Sequence, residues 1–577
     1  YKALVEVVVL ARFIVTAAWP YVNYVPHLGT IIHLISADVY ARYLRLRGHE
    51  VISVSGSDEH GTPIELEARR RNVSPRELTD AVHARDVELF REYGIELSNY
   101  TRTESPVHKE FVREIMMKLY ENGYIFEQDE VLPYCENDKT FLPDRFVEGK
   151  CPYCGYERAR GDQCDECGRL LHPTELINPR CALCGARPVF KVTRHWYIDL
   201  SRVRDRLLEW LKSNRELQDN VREYSLNWVA QGLKPRSVTR DTPWGIEAPF
   251  PGARGKTIYV WFDALLGYVS ATKEYLERIG RGGEWRDWWM GSDVKTVYFI
   301  GKDNIPFHSI IFPAILIATG EPYTLPWRIS ATEYLLYEGK HFSKSRRIGI
   351  WADEALEIAP GEYWRWVLMR LRPELRDQNF TWSEFYRIVN SELGDDIGNY
   401  VHRVLTLVER LGGRVARPES LQQRDLEVLE EAKAIAAKAV EAYDSIRFRQ
   451  ATEYILELAR LGNRYLNERE PWALAKRSPG EALQVLWVAL SIAKMIAHLI
   501  APIMPKTAER LWRMLGQDGS VHEKVWDREL YEAGEFKVSN VEPLFTKLPQ
   551  DFLDRIEEIV EEARRKASAK RPSIITD

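Results

Sequence analysis

Three groups of residues in this sequence could do chemistry. The first is His27-Leu-Gly-Thr30. An apolar, β-branched run from Phe13 to Ala18 reads as a buried strand, and Pro20 and Pro26 bracket a loop. Ile31 to Leu46 then carries helical periodicity without a breaker, which puts the tetrapeptide at a helix N-terminus. Free N–H groups and a partial positive charge make that end a seat for phosphate. Gly29 lets a planar group approach the backbone, and His27 adds a donor aimed at the same place. The competing reading is an ordinary strand-loop-helix with a capping histidine. The second group, Gly339-Lys-His-Phe-Ser-Lys-Ser-Arg-Arg347, packs lysines, arginines and two hydroxyls into a loop that could swing over a triphosphate. A solvated basic surface is the blander alternative.

The third group is made of cysteines. Of the seven, six lie in C-x2-C pairs: Cys151/Cys154, Cys164/Cys167 and Cys181/Cys184. In a long chain without a signal peptide this spacing points to metal rather than disulfides. Cys151, Cys154, Cys164 and Cys167 offer four thiolates in two knuckles, suited to tetrahedral zinc. Gly155 and Gly168 follow each second cysteine, where the chain turns tightly toward the metal. Cys181 and Cys184 form a third knuckle without a cysteine partner knuckle; Cys135 supplies one more thiolate, and Asp138 repeats the C-x2 spacing. His172 and His195 are rival ligands.

Positioning these groups takes several elements. With 577 residues the chain is too long for one core, and roughly three to five domains are expected. Hydrophobic content of 45%, charged content of 29% and a net charge of −5 describe a globular protein without general nucleic-acid stickiness. Residues 12 to 70 alternate strand and helix, with a second strand at Glu50–Ser55, a loop over Gly56–Gly61 and a helix from Pro63. This rhythm implies a parallel sheet with ligands at the carboxyl ends of its strands. Residues 74 to 123 read on as helices. From about Gly123 the cysteines, glycines and prolines of an insertion crowd in. Thr257–Phe262 and Thr296–Ile300 then restore strand character. Repeated i, i+3, i+4 apolar spacing over 389–412, 424–442, 447–467 and 480–515 argues for an antiparallel helical bundle. Leu483 to Met504 contains Lys494, His498 and Pro502, and reads as a buried helix rather than a membrane crossing. Asp551–Lys570 reads as a charged amphipathic helix. No targeting segment is evident, so a cytoplasmic protein is expected.

Together the first two groups resemble the HIGH and KMSKS motifs of class I aminoacyl-tRNA synthetases. Ala18-Trp-Pro-Tyr21, Ser57-Asp-Glu-His-Gly-Thr-Pro63, Val260-Trp-Phe-Asp-Ala264, Gly301-Lys-Asp303 and Phe307-His308 further resemble methionyl-tRNA synthetases, in order, from about residue 11 to about residue 550. The resemblance implies an α/β Rossmann-type parallel-sheet catalytic domain, interrupted by a zinc-knuckle insertion and followed by an all-α anticodon-binding bundle. Its implied boundaries are a leader at 1–10, catalytic halves at 11–122 and 241–329, and the insertion at 123–240. A KMSKS-loop region follows at 330–387, then the bundle at 388–550 and a terminal helix and tail at 551–577.

The resemblance also implies a reaction: methionine and ATP (with Mg2+) give methionyl-adenylate, and the terminal ribose of tRNA(Met) then takes the methionyl group. His27, Gly29, Thr30 and Lys344 would be catalytic, with Gly301, Asp303, Ser343 and Ser345 completing the ATP site. Trp19, Tyr21, Asp58, Trp261, Ala264, Leu265, Tyr268, Phe307 and His308 would hold methionine. Asn399, Arg403 and Trp472 would contact the anticodon. Nesting of the outer knuckles around the inner pair, as in two-zinc family members, implies a second zinc site at Cys135, Asp138, Cys181 and Cys184. A monomer is implied, with a separate tRNA-binding subunit as the source of any extra tRNA affinity. Thr30 stands where the HIGH motif ends in histidine. His341, Phe342 and Arg347 also depart from the second motif, while Lys344 is intact. The cysteinyl, leucyl, isoleucyl and valyl enzymes are the nearest rivals. A catalytically dead synthetase scaffold that binds RNA through its knuckles is the rival from another class.

Overall fold

The computed structural model describes residues 10–344, 346–526 and 528–576. The expected leader, Leu10 apart, and Ser345 therefore lie outside the described residues. Five parallel strands form the central sheet: β1 (Arg12–Ala17), β2 (Glu50–Ser57), β3 (Asn99–Arg102), β4 (Val294–Gly301) and β5 (Arg328–Thr332). They are ordered β5-β4-β1-β2-β3. Arg12 on β1 faces Val294 on one side and Glu50 on the other. The chain thus winds one way from β1 and returns on its other side, which opens a crevice at the carboxyl ends of β1 and β4. Residues Phe13 to Ala17 are buried, and helix α1 (Leu28–Leu46) covers them with Leu28, Ile31, Ile32 and Ile35.

Three expectations for the sheet need correction. β2 runs through Ser57, so Asp58 follows the strand directly instead of lying inside a loop begun at Gly56. The stretch expected as helices alone holds helices Pro75–Glu92 and Pro106–Glu121 with edge strand β3 between them. Four residues are too few for strand alternation to show. Of Thr257–Phe262 only Thr257–Ile258 is strand, paired antiparallel with Thr239–Arg240, and Val260–Ala264 is a short helix. A short apolar run does not separate buried strand from buried helix. The spacing of Trp261, Ala264, Leu265 and Tyr268 (i, i+3, i+4, i+7) carried the helical signal. β5 crosses the expected boundary at 329/330.

The insertion is a long antiparallel hairpin, Ile125–Cys135 with Val189–Ile198, whose far end carries the cysteines. The bundle contains α2 (Asn399–Arg410), α3 (Gln423–Asp444), α4 (Phe448–Arg469) and α5 (Pro479–Ile500). The helix expected over 480–515 breaks after Ile500 and restarts as Pro505–Met514, because Pro502 and Pro505 supply no N–H to continue the ladder. Among the described residues α5 is long and apolar enough to cross a membrane, but 89% of its apolar window is buried inside the protein. The terminal helix α6 (Ile556–Lys570) starts five residues later than expected and buries Val560, Ala563 and Ala567. Just past it Arg571 grips Asp353 with two hydrogen bonds, of 2.6 and 2.9 Å, and bonds Glu354 and the Tyr24 hydroxyl.

Candidate active site and metal centres

A cavity of about 1050 Å3 opens at the carboxyl ends of β1 and β4. On one side it is lined by His27, Gly29 and Thr30 of α1 and by Gly301, Asp303 and Lys344. His27 is the N-cap residue of α1, in extended conformation at φ −90° and ψ 172°. Its ring makes no capping hydrogen bond among the described residues. The capping reading is therefore not met, and the ring faces the cavity. Burial lowers its pKa to about 4, so the imidazole is neutral near pH 7. Thr30 Oγ1 lies 3.5 Å from His27 Nε2. At the end of β4, Asp303 accepts a hydrogen bond of 2.6 Å from the Tyr334 hydroxyl.

The basic loop is a tight turn in which Ser343 and Ile348 exchange two backbone hydrogen bonds of 2.9 Å. Lys344 Nζ bonds Glu67 Oε1 at 2.9 Å and sits 3.8 Å from the ring centre of Tyr24. Ser343 does not line the cavity.

The other side of the cavity is apolar and aromatic. Trp261 and Phe307 stack with centroids 3.7 Å apart and planes at 7°, and Tyr21 meets Trp261 edge-on at 6.5 Å. Trp19 wedges against two glycines: a Cβ on Gly56 or Gly267 would come within 2.7 Å or 2.6 Å of its ring. His308 Nδ1 donates to the Asn304 carbonyl at 2.9 Å. Its Nε2 is then the acceptor for the Tyr268 hydroxyl at 2.7 Å. Burial holds His308 neutral, at about 4. Ala264, Leu265 and Asp58 complete the wall, so every residue expected for methionine lines this cavity.

Asp58 is buried at the foot of this pocket. Burial first, and then the neighbouring Asp263 carboxylate, push its carboxyl well above the usual carboxylate range. Beneath it His60 is clamped, with Nδ1 2.8 Å from Asp263 Oδ2 and Nε2 2.8 Å from Glu104 Oε1. Burial opposes its charge, but the two carboxylates prevail and raise it to about 10. Sequence reasoning gave His60 and Asp263 no role, although both stood inside quoted motifs. It also missed His33, one turn beyond Thr30 on α1, which lines the cavity and bonds Thr332 Oγ1 at 2.9 Å.

Outside the cavity, two groups of ligand atoms could each hold a metal ion. Cys151, Cys154, Cys164 and Cys167 form one; Cys135, Asp138, Cys181 and Cys184 form the other. In each, the ligand atoms lie within 4.8 Å of one another. Sulfurs bound tetrahedrally at ~2.3 Å would sit about 3.8 Å apart. The observed Cys154–Cys164, Cys151–Cys167 and Cys135–Cys184 separations are 3.6, 4.0 and 3.5 Å, far beyond a disulfide bond. His172 and His195 belong to neither group: His172 bonds Thr174 and Glu130, and His195 bonds Thr239 and Asp241.

In the bundle, Asn399 opens α2 and Arg403 lies one turn on. Arg403 bonds Asn463 and Asn467 of α4 at 3.2 and 2.8 Å, and its guanidinium lies 5.3 Å from the Trp472 ring centre. Trp472 is 40% exposed.

The sheet order, the helix N-terminus and the basic loop across one cavity are those of a nucleotide-dependent synthetase. The family model described as "tRNA synthetases class I (M)" matches residues 13–405, and "Anticodon-binding domain of tRNA ligase" matches residues 425–573. The chain belongs to the first of these families, the class I tRNA synthetases (M). A curated relative from Aeropyrum pernix, named methionine–tRNA ligase, is 65% identical over 573 residues, 98% of this chain and 100% of the relative. Another of that name, from Ignicoccus hospitalis, is 57% identical over 98% of this chain and 100% of its own length. A Mycobacterium tuberculosis methionyl-tRNA synthetase, solved with methionyl-adenylate, has a similar fold. Its TM-score is 0.76 at 22% identity, over 93% of this chain and 100% of that one.

Proposed function

We infer that this chain ligates methionine to tRNA in two steps. The methionine carboxylate attacks the α-phosphorus of ATP, which enters as its magnesium complex, and pyrophosphate leaves. A hydroxyl of the tRNA terminal ribose then attacks the carbonyl carbon of methionyl-adenylate, and AMP leaves. One observation carries this reading. A helix N-terminus built for phosphate and an aromatic pocket ending in a buried carboxylate share one cavity.

In this reading His27 and the Gly29 and Thr30 backbone hold ATP at the helix N-terminus, Asp303 accepts from the ribose, and Gly301 leaves room beside it. Ser343 supports the loop end of the nucleotide site from outside the cavity wall. Lys344 leaves Glu67 to stabilise charge on the transferring phosphate. Trp261, Phe307, Tyr21 and Tyr268 surround the thioether, a soft group that aromatic rings favour, while Trp19, Ala264, Leu265 and His308 set the pocket's depth. Asp58 takes the substrate ammonium. In the same reading the chain acts as a monomer in the cytoplasm, and a separate tRNA-binding subunit would add affinity for tRNA. ATP–pyrophosphate exchange with each of the twenty amino acids tests the reading. Exchange confined to methionine supports it; exchange with another amino acid, or none, overturns it.

The state of Asp58 gives this reaction a pH signature. The ammonium binds the carboxylate form, and its charge lowers the carboxyl's pKa, so binding releases a proton between the bound and free values. Methionine affinity should therefore fall as pH drops from the raised pKa of Asp58 in the free enzyme toward the lower one in the complex, by up to about tenfold per unit. Calorimetric titration across that range checks this. Asp58→Asn should bind more weakly and lose the slope.

Zinc fits both cysteine groups, since four protein ligands close each site and leave it structural. Cys135, Cys181 and Cys184 with Asp138 form the harder, weaker site of the two. Metal analysis of the purified protein should give two zinc ions per chain, and a value near one would remove the Asp138 site.

Asn399 and Arg403 offer donors to the base edges of an unpaired anticodon loop, and Trp472 offers a face for stacking, worth about 1–3 kcal/mol per base. Trp472→Ala should lower tRNA charging while leaving pyrophosphate exchange near normal. Equal loss of both would mark Trp472 as a folding residue.

A further inference from the structure

Phe342 stands in the basic loop at a position the sequence comparison with KMSKS would fill with methionine. Its ring lies flat on His27, with centroids 4.4 Å apart and planes at 7°. A Cβ on Gly29 would crowd the His27 ring at 3.0 Å and lie 3.7 Å from Phe342 Cδ2, so the two stacked rings together border the space this glycine leaves at the start of α1. Gly349 gives the ring its seat: at φ +127° it carries no side chain, and a Cβ there would come within 2.4 Å of Phe342. Under the stacked ring, His27 Nδ1 is buried with no hydrogen-bond partner among the described residues. A carbon ring can seal that atom from water but cannot bond to it. The flanks of the loop are tethered, His341 edge-on to Tyr334 at 5.1 Å and Lys344 to Glu67. A planar slot is thus filled by a planar group from the loop that borders the nucleotide site, over a polar atom left unsatisfied.

We propose that Phe342 is a displaceable stand-in for the purine of ATP. It occupies the slot over His27 and Gly29 in the empty enzyme, leaves it when the nucleotide binds, and thereby sets nucleotide affinity. The inference rests on the reading that ATP seats at the α1 N-terminus. Because only molecules with the slot open bind, the apparent affinity is the intrinsic one reduced by the open fraction. Emptying the slot by mutation removes that reduction.

The test uses the full chain without methionine and an ATP analogue whose α,β-bridging oxygen is replaced by methylene. Binding is measured by calorimetry for the wild type, Phe342→Ala and Phe342→Leu. The rate at which diethyl pyrocarbonate modifies His27 is followed by peptide mass analysis, with and without adenosine. Phe342→Ala should bind the analogue about 2- to 12-fold more tightly, the range one aromatic pair is worth as an affinity ratio, and its His27 should react faster. Phe342→Leu, which keeps an apolar side chain but loses the flat stack, should fall between; it decides the question if the alanine variant does not fold. Affinity that is unchanged or weaker, with His27 no more reactive, overturns the proposal and makes the ring a fixed wall of the site. Failure of the underlying reading looks different: adenosine would then fail to protect His27 from modification in Phe342→Ala and Phe342→Leu, where the slot stands open.

Discussion

Lys344→Ala should lower methionine-dependent ATP–pyrophosphate exchange by about 10²- to 10³-fold, the usual cost of removing one preorganised donor from a developing negative charge. Methionine binding, measured by calorimetry without ATP, should stay near the wild-type value, because Lys344 lies on the phosphate side of the cavity. In the empty enzyme the ammonium is held by Glu67, and Glu67 is held below its ordinary range because Lys344 and Arg71 outweigh the effect of its burial. The lysine is therefore charged and close by before substrate arrives, and has only to exchange one anion for another. Lys344→Arg should recover part of the rate, since the charge survives but the planar fork does not fit a site shaped for a compact ammonium. Loss of methionine binding in step with exchange would show instead that Lys344 holds the fold of the loop.

Arg365→Ala should destabilise the protein by about 1–3 kcal/mol for each of the buried Pro502 and Ile503 carbonyls it leaves without this donor, while Asp38 keeps Arg42 at 2.9 Å. Arg365 is fully buried on the helix Gly361–Arg370. It donates to Asp38 Oδ2 at 2.6 Å, Gly94 O at 3.2 Å, Pro502 O at 2.9 Å and Ile503 O at 2.5 Å. Asp38 belongs to α1, whose first turn forms the phosphate seat, whereas Pro502 and Ile503 form the corner after α5. One side chain therefore joins the active-site helix to the bundle. Arg365→Lys should recover only part of the loss, because three donors on one nitrogen do not reach four oxygens from three segments. Urea unfolding followed separately by catalytic-domain and bundle fluorescence probes would measure it. Wild-type midpoints in Arg365→Ala would show that the junction holds without this residue.

The chemistry was legible in the sequence wherever it is carried by residues close together along the chain. His27 to Thr30 fell at a helix start because strand, loop and helix announce themselves by apolar run, proline and periodicity over some thirty residues. The inner knuckles, Cys151 to Cys167, fell together because two C-x2-C turns leave few ways to place four sulfurs. Trp261, Ala264, Leu265 and Tyr268 were named as one wall, yet Thr257–Phe262, which contains the first of them, was read as strand, since a short apolar run suits either state. β3 was missed for want of length, and the break at Pro502 was passed over because apolar residues continue on both sides of it.

What the sequence by itself determined, then, is local: where α1 begins, which loop carries the lysine, which cysteines pair into knuckles, which faces of the bundle helices are apolar. Those follow from short-range stereochemistry and periodic burial, which each stretch carries within itself. Only the tertiary structure decided that Lys344 rests on Glu67, that His60 is locked between Glu104 and Asp263, that Phe342 lies on His27, and that Arg365 ties α1 to the corner after α5. Each of these joins residues tens to hundreds of positions apart. Their partners are chosen by which surfaces the packed sheet and bundle bring together, and a charge or ring buried there takes whichever complementary group the fold delivers.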